Sequence, residues 1–225
     1  RKNFKDCQVT RKPSYEELEQ RVWELKKEAL ENKQTEHSLV KINACLLSLG
    51  SYFTENVNRI TSLSGELFGA TCALYNRLDG GMLCSIGQWQ TPSDYNPVDK
   101  PDGHICYDVI QRGVDDVFVV QDLQNSIYAL SDPNVVHYNL ETYIGHPVSC
   151  GEQYIGSLCV VFQSDYFPSE KEKVIIGILA SAISEEEKRK QAEEALHESE
   201  EQYRVLVKNL PSVVYKGYKD WSVDF

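Results

Sequence analysis

Hydrophobic residues near the start of the chain recur with the spacing of a helical seam. Ser14, with Glu17 three residues later, forms a capping-box pattern that predicts a helix start. Apolar residues then follow at alternating intervals of three and four: Tyr15, Leu18, Val22, Leu25 and Ala29. This spacing favours a two-stranded coiled coil over residues 14–38, after a disordered or extended lead at 1–13. An ordinary amphipathic helix packed on its own domain is the alternative.

Residues 39–182 carry the pattern of one compact unit of helices and strands. In its first predicted strand both alternating sets of positions are largely apolar, so we expect a sheet covered on both faces. Gly69 and Gly113 are expected to end helices, and Asp102 is expected to cap the second of them. The predicted elements are a helix at 56–68, a hairpin of strands at 70–78 and 82–88, a loop at 91–102, a helix at 103–112, a strand at 117–120, a helical turn at 132–140 and a hairpin at 142–149 and 154–162.

The last long helix is predicted to begin after Pro168, where Ser169 and Glu172 repeat the capping-box spacing. Nothing in the sequence stops it before about Lys208, so it would extend far beyond the domain. Its first part is apolar enough to pack on the sheet, and residues 183–208 form a charged signalling helix that needs a partner. We expect the seam of a parallel homodimer to continue through Ile175, Ile178, Ala182, Ala192, Leu196 and Tyr203.

Composition narrows the classes of partner. The net charge of −11, spread without a basic stripe, argues against nucleic acid and anionic membranes as partners. Seven cysteines without a C-x-x-C pair are typical of reduced thiols and favour a cytoplasmic location. No apolar run reaches the roughly 20 residues of a membrane helix. The chain begins without Met and ends in mid-pattern, so we expect it to be part of a longer protein.

Several of these segments together resemble GAF sensor domains of bacterial and archaeal signalling proteins. They are Gly103 to Ile110, Val119 to Leu123, Tyr143 to Val148 and Tyr154 to Val161. The resemblance implies an α/β (α+β) fold with a central antiparallel sheet, helices on both faces and long flanking coiled-coil helices. Residues 209–225, with Asn209-Leu210-Pro211 and Val213-Val214-Tyr215, resemble the start of a PAS domain. The parent would then be a multi-domain sensor of the histidine kinase type.

The resemblance implies a small-molecule pocket but names no ligand. The Asn-Lys-x-Phe-Asp-Glu pattern of cyclic-nucleotide GAF domains is missing, and no Cys-His dipeptide stands where bilin-binding members attach their chromophore. The residues that we expect to line the pocket are Trp89, His104, Cys106, Tyr107, Asp122, Tyr138, Tyr143 and His146. A purely structural dimerisation linker with an empty core is a second reading.

Cys106 is the most reactive-looking residue, because the start of a helix lowers the pKa of a thiol. One alternative is therefore a thiol redox sensor, and another is a haem bound covalently at Cys106 with an axial histidine. The axial ligand would be His104, His137 or His146. A buried, unreactive Cys106 is the plainer reading. Zinc could in principle be held by a further set, His104, Cys106, His146 and Cys150.

Enzyme functions are disfavoured because their motifs are missing. The chain has no G-x-S-x-G elbow, no G-x-x-x-x-G-K phosphate loop and no G-x-G-x-x-G after a strand. The one enzymatic alternative is a free-methionine sulfoxide reductase, which has a GAF-like fold and catalytic cysteines. Its redox set would be Cys84, Cys106 and Cys150. The flanking helices favour a signalling role instead.

Overall fold

The computed structural model describes residues 14–209, 216–217 and 223–224. Within these ranges the six α-helices are α1 (Tyr15–Leu47), α2 (Phe53–Phe68), α3 (Ile105–Arg112), α4 (Tyr128–Ser131), α5 (Pro133–His137) and α6 (Glu170–Asn209). The eight strands found there are β1 (Cys72–Asp79), β2 (Met82–Trp89), β3 (Val98–Asp99), β4 (Phe118–Val120), β5 (Thr142–Cys150), β6 (Gln153–Phe162), β7 (Lys216–Gly217) and β8 (Val223–Asp224). The predicted lead at 1–13 lies outside the described residues, as does most of the predicted PAS segment, of which only the paired strands β7 and β8 are described.

Residue contacts divide the chain into two units, Arg1–Ala44 and Cys45–Phe225. In the first unit, α1 begins where the capping box predicted. The Ser14 backbone N–H donates to Glu17 Oε2 at 2.6 Å, and the Glu17 N–H donates to Ser14 Oγ at 3.2 Å. The predicted seam residues of this helix are exposed, with Leu18, Val22 and Leu25 each about half accessible to solvent. The helix therefore carries an apolar stripe that its own unit does not cover.

The second unit is built on a six-stranded antiparallel sheet with the strand order β3-β2-β1-β6-β5-β4. Helices α2 and α6 cover one face, burying Val57 and Ile60 from α2 and Leu179 and Ile183 from α6. Helix α3 packs against β5 and β6 on the other face. The predicted antiparallel sheet with helices on both faces is thus confirmed.

Most predicted boundaries lie within a few residues of the observed ones, with four differences. Helix α2 begins at Phe53, ahead of the predicted start. The predicted loop at 91–102 contains the short strand β3, which pairs with β2 at the sheet edge. Helix α3 has His104 at its N-cap, so the prediction that Asp102 caps it is wrong. The predicted helical turn at 132–140 is helical only over α5, although Asp132 does cap it through the Asn134 N–H.

Helix α6 spans 40 residues and changes character along its length. Its capping box forms as predicted, with the Ser169 N–H donating to Glu172 Oε2 at 2.7 Å. Among its side chains up to Lys208, the last buried one is Glu187, and from Gln191 to Glu200 every residue is exposed. Ile175 is buried within its own chain, and Ile178 and Ala182 are half-buried, so Ile175 as a dimer-seam residue is a wrong prediction. Within the described residues, no helix has the length and apolarity needed to cross a bilayer.

Candidate functional site

A cavity of about 120 Å³ lies on the α3 face of the sheet. Its walls come from β1, β2, β3, β5, β6, the start of α3, α5 and the segment between β2 and β3. Leu74, Leu83, Leu140 and Val161 supply apolar surface. The polar side chains that line it include Asn76, Ser85, Tyr95, Asp99, His104, Cys106, Asp132, Tyr138, Tyr143 and Cys159. Mostly apolar walls with a few convergent polar groups are the usual composition of a small-molecule site.

One wall of the cavity is organised by Asp132. Its Oδ2 accepts the N–H of Ile105 at 3.1 Å, at the start of α3, and its Oδ1 accepts the N–H of Asn134 at 3.0 Å. One carboxylate therefore satisfies backbone donors at the starts of two helices, which fixes α3 against α5. The same carboxylate lies 3.3 Å from Nδ1 of His104, whose Nε2 is 3.6 Å from Asp99 Oδ2. His104 is thus a buried imidazole held between two acids.

We predict that this arrangement makes stability depend on pH. The hydrogen bond from His104 to Asp132 raises the pKa of His104 above its ordinary value of 6.5, against the opposing effect of burial; Asp132, Cys106 and Asp99 also raise it by charge. The charged His104 therefore stabilises the fold fully below about pH 6.5, and this contribution is lost as pH rises through the higher pKa of the folded protein. Urea unfolding across that window should show the decline. Asp132→Asn and His104→Gln should remove it, whereas the exposed Leu130→Gln should keep it.

Another part of the lining is a cluster of sulfur and hydroxyl groups around Cys106. Asn76 Nδ2 donates to Cys106 Sγ at 3.0 Å, and the Tyr143 hydroxyl donates to the same sulfur at 3.4 Å. Cys159 Sγ on β6 lies 3.7 Å from Cys106 Sγ. The ring of Tyr143 reaches this position by crossing Gly145, where a Cβ atom would come within 2.3 Å of the Tyr143 hydroxyl. Three donors thus converge on one buried sulfur.

These contacts distinguish the thiols of the cavity. The hydrogen bond from Cys159, together with those from Tyr143 and Asn76, lowers the pKa of Cys106 although burial opposes the shift. The interaction with Cys106 and burial raise the pKa of Cys159 well above its usual range. Burial raises the pKa of Cys72 to about 12. Cys106 is therefore the thiol of this cavity that most readily becomes a thiolate, the nucleophilic form.

Strand β1 links the cavity to the other face of the sheet. Asn76 faces the cavity, where its Oδ1 also accepts a hydrogen bond from Ser85, whose Oγ is 2.6 Å from the Tyr95 hydroxyl. The residues on either side of Asn76 face α6. The Tyr75 hydroxyl donates to Glu187 Oε1 at 2.7 Å, and Arg77 Nη1 lies 3.1 Å from Glu187 Oε2. Of these three consecutive residues, Asn76 therefore contacts the cavity thiol of Cys106, and Tyr75 and Arg77 contact Glu187 on α6.

Four of the eight predicted pocket residues line the cavity: His104, Cys106, Tyr138 and Tyr143. The other four do not, and the prediction is corrected for them. Trp89 packs on α2, where its ring lies against Gly65 and would be 2.0 Å from a Cβ there. His146 faces α6, with Nε2 3.3 Å from where a Cβ on Gly177 would stand. Asp122 is exposed in a left-handed turn and accepts a hydrogen bond from Asn125, and Tyr107 is half-buried outside the lining.

The predicted zinc and reductase sets are not assembled in one place, and of the three candidate axial histidines only His104 lines the cavity with Cys106. His137 is exposed and its Nε2 lies 2.9 Å from Asp94 Oδ2, while His146 is on the opposite face of the sheet from Cys106. Cys150 donates to Gln191 on α6. Cys84 pairs across strands with Arg77 and does not line the cavity. Among the described residues, no three His, Cys, Asp or Glu side chains are grouped as metal ligands.

The sequence reasoning missed Asn76, Ser85, Asp132 and Cys159. Asn76 carried a usable signal, since it is a polar residue on the apolar side of a strand that also presents Cys72 and Leu74. Cys159 shares a strand face with Val161 and Ser157 and was indistinguishable from a core thiol. Asp132 was placed only at the start of a predicted helical turn, because its second role acts on Ile105, 27 residues earlier.

Comparison with known proteins identifies the fold. No protein-family model matches the sequence, and comparison with the curated proteins found no match. Solved structures do match. The GAF domain of A. aeolicus nlh2, in an inactive state, is 12% identical with a TM-score of 0.56, over 71% of this chain and 98% of that one. Free methionine-R-sulfoxide reductase from Neisseria meningitidis, in complex with its substrate, is 16% identical with a TM-score of 0.58, over 70% and 91%. A bacteriophytochrome from R. palustris is 8% identical with a TM-score of 0.56, over 76% and 40%. The chain has a GAF-like fold.

Proposed function

We propose that this protein is a sensory input module in which the state of the cavity is relayed to α6. The observation that carries the proposal is the placement of Tyr75, Asn76 and Arg77 on β1. Asn76 contacts Cys106 in the cavity, and its two neighbours hold Glu187 on α6. Any displacement of β1 by a bound molecule would therefore act directly on the helix that leaves the domain.

A second set of contacts supports the relay because it fixes α6 at the same level. Asn56 Nδ2 donates to Glu186 Oε2 at 2.8 Å, and Arg189 binds both Glu186 and the carbonyl of Ser51. The Asn56 side chain also accepts a hydrogen bond from the Gly50 N–H and donates one to the Gly50 carbonyl. The turn between α1 and α2 is thus tied to the same part of α6. Packed elements of this kind tend to move between discrete arrangements, which is the behaviour a signalling switch requires.

The size of the cavity favours a small ligand. About 120 Å³ is less than the roughly 300–1,000 Å³ typical of drug-sized sites. A porphyrin is several times too large for this space, and the three histidines proposed as its axial ligands include two outside the cavity. The enclosed donors and acceptors instead suit a molecule of a few heavy atoms with polar groups at both ends. We therefore favour a small polar metabolite over haem as the ligand.

The long helices suggest how the signal leaves. We propose a parallel homodimer in which α1 pairs through Leu18, Val22, Leu25 and Ala29, and α6 through Ala192, Leu196 and Tyr203. These residues are exposed in the described chain, and their heptad spacing is self-complementary. GAF-like folds occur in phytochromes, as in the R. palustris structure. We further propose that the output is a downstream PAS and histidine kinase assembly in the cytoplasm.

The proposal predicts that a small ligand will stabilise the domain and alter α6. Thermal unfolding would be followed with a panel of free amino acids, purines and short carboxylic acids. A compound present at a hundred times its Kd should add about 2.7 kcal/mol of stability. Hydrogen exchange of the same complex should change in amides near Glu186 and Glu187, at the point where α6 leaves the sheet.

Two variants test whether the cavity and β1 are responsible. Leu83→Trp, which fills the cavity, should abolish the thermal shift, whereas Leu130→Trp at an exposed position of α4 should retain it. Tyr75→Phe removes the hydroxyl that binds Glu187, so it should bind the compound but weaken the exchange response in α6. Binding that survives Leu83→Trp would contradict the site. An unchanged α6 on binding would contradict the relay.

A further inference from the structure

The two sulfur atoms of Cys106 and Cys159 form a dithiol within the cavity wall. They are 3.7 Å apart, both side chains are buried, and both line the same cavity. Cys106 is on the first turn of α3, and Cys159 is on β6, which packs against that helix. A disulfide requires the sulfurs to approach to about 2.05 Å. The closing distance is therefore less than 2 Å, within the range of side-chain rotation and a small helix shift.

The hydrogen bonds around this pair assign different roles to the two sulfurs. Asn76 and Tyr143 each donate a hydrogen bond to Cys106 Sγ, at 3.0 and 3.4 Å. Tyr143 also interacts with Cys159, but there its effect on the pKa is outweighed by Cys106 and by burial. Donors directed at a sulfur favour its thiolate, which is the nucleophile in thiol oxidation. Cys159 retains its proton and lies beside the sulfur that would be oxidised. The pair therefore has the arrangement of an attacking and a resolving thiol.

We propose that Cys106 and Cys159 are a redox-modification site that a small hydroperoxide entering the cavity converts to a disulfide. The Cys106 sulfur attacks one oxygen of hydrogen peroxide, the O–O bond breaks, and the departing hydroxide takes up the proton released by the Cys106 thiol. This gives a sulfenic acid and one water. The Cys159 sulfur then attacks the Cys106 sulfur, the S–O bond breaks, and the second hydroxide leaves as water with the Cys159 proton. Two thiols lose two electrons, and one peroxide becomes two waters.

The disulfide would change the contacts on which β1 depends. Closing the pair draws α3 towards β6 and replaces the free Cys106 sulfur that accepts the hydrogen bond from Asn76. Asn76 lies between Tyr75 and Arg77, which hold Glu187. Oxidation would therefore act at the same point as ligand binding, and this consequence, unlike the disulfide itself, rests on the proposed function.

Neighbouring thiols provide an internal comparison. Cys72 also lines the cavity, but burial raises its pKa to about 12 and its sulfur contacts a backbone carbonyl rather than donors. Cys45, Cys84 and Cys150 are half-buried and lie outside the cavity lining. If access to the cavity alone decided reactivity, Cys72 would also be oxidised. If access to solvent alone decided it, the half-buried thiols would be oxidised. Selective reaction at Cys106 requires the hydrogen-bonded pair.

The test is peptide mapping by mass spectrometry of the full chain after limited hydrogen peroxide treatment, without reducing agent. A Cys106–Cys159 disulfide should be the first product, and dithiothreitol should reverse it. Cys159→Ser should stop the reaction at a Cys106 sulfenic acid, which dimedone captures. Cys106→Ser should lose the disulfide and leave Cys159 unmodified. Cys72→Ala, the matched cavity control, should form the disulfide at the wild-type rate.

The result that would overturn the proposal is oxidation of the half-buried thiols or of Cys72 before Cys106, or a Cys159 that oxidises equally well in Cys106→Ser. Circular dichroism of each variant would establish that the fold is retained. In Cys159→Ser, dimedone should label Cys106 selectively, whereas an unfolded chain would not restrict the label to Cys106. The mapped disulfide is a chemical readout that does not depend on α6. Hydrogen exchange of the oxidised protein reports the relay separately, so a disulfide without a change in α6 would overturn the relay alone.

Discussion

Replacing Arg77 by methionine is expected to lower the free energy of unfolding by about 3 kcal/mol, because it leaves a buried carboxylate without its cation. The Glu187 side chain is only 5% exposed and lies 3.1 Å from the Arg77 guanidinium. The Tyr75 hydroxyl would remain as its donor, but a neutral hydroxyl does not offset the desolvation of the charge. Urea unfolding monitored by circular dichroism would measure the loss.

A double-mutant cycle separates the pair from its surroundings. Arg77→Met with Glu187→Leu should recover much of the stability lost in Arg77→Met, since no unpaired charge stays buried. The Tyr75 hydroxyl then lacks a partner, so recovery should fall short by about 1 kcal/mol. Lys188→Met, which breaks an exposed pair with Glu185 on the same helix, should leave the unfolding midpoint unchanged. Equal losses in the single and double variants would contradict a coupled pair.

Glutamate at both Leu18 and Leu25 is expected to dissociate the proposed dimer, raising its Kd at least about hundredfold. The two positions occupy the same place in successive heptads, so each substitution would bring like charges together in a desolvated seam. Sedimentation equilibrium of the wild type and the variant would measure the change.

The matched control places the same added charge on the opposite side of α1. Gln20 is two residues after the seam residue Leu18, and Gln34 occupies the same heptad position 14 residues later, so both lie outside the seam. Gln20→Glu with Gln34→Glu should therefore leave the dimer intact. A wild type that is monomeric at all concentrations, or a seam variant that associates as well as the control, would contradict the pairing.

Local chemistry made much of the architecture predictable. In each capping box, the serine (Ser14 or Ser169) forms a hydrogen bond with the glutamate three residues later, so the bond follows from spacing within one helical turn. Gly69 and Gly113 end α2 and α3 in the left-handed conformation that glycine adopts at little cost. The two hairpins depend on short turns and on strands with apolar runs. Each of these features involves residues only a few positions apart.

The alternation of side chains along a strand limits which of the predicted residues can line one cavity. Tyr143 and His146 are three residues apart in one strand, and successive side chains point to opposite faces, so a regular strand cannot direct both into one cavity. Which of them faced the cavity depended on whether α3 or α6 covered that face. That choice comes from packing of distant segments and has no local signal.

Only the tertiary structure decided the rest of the site. The register shift between β1 and β2 leaves Ile86 as an extra residue in β2, which reverses the alternation and turns Trp89 towards α2 while Ser85 faces the cavity. Asp132 reaches the start of α3 across the fold, and Cys159 meets Cys106 from a strand 53 residues away. The sequence by itself thus determined the helices, the hairpins and the presence of a thiol near a helix start. The partners of that thiol were decided by the fold, because contacts between distant segments depend on register and packing rather than on local spacing.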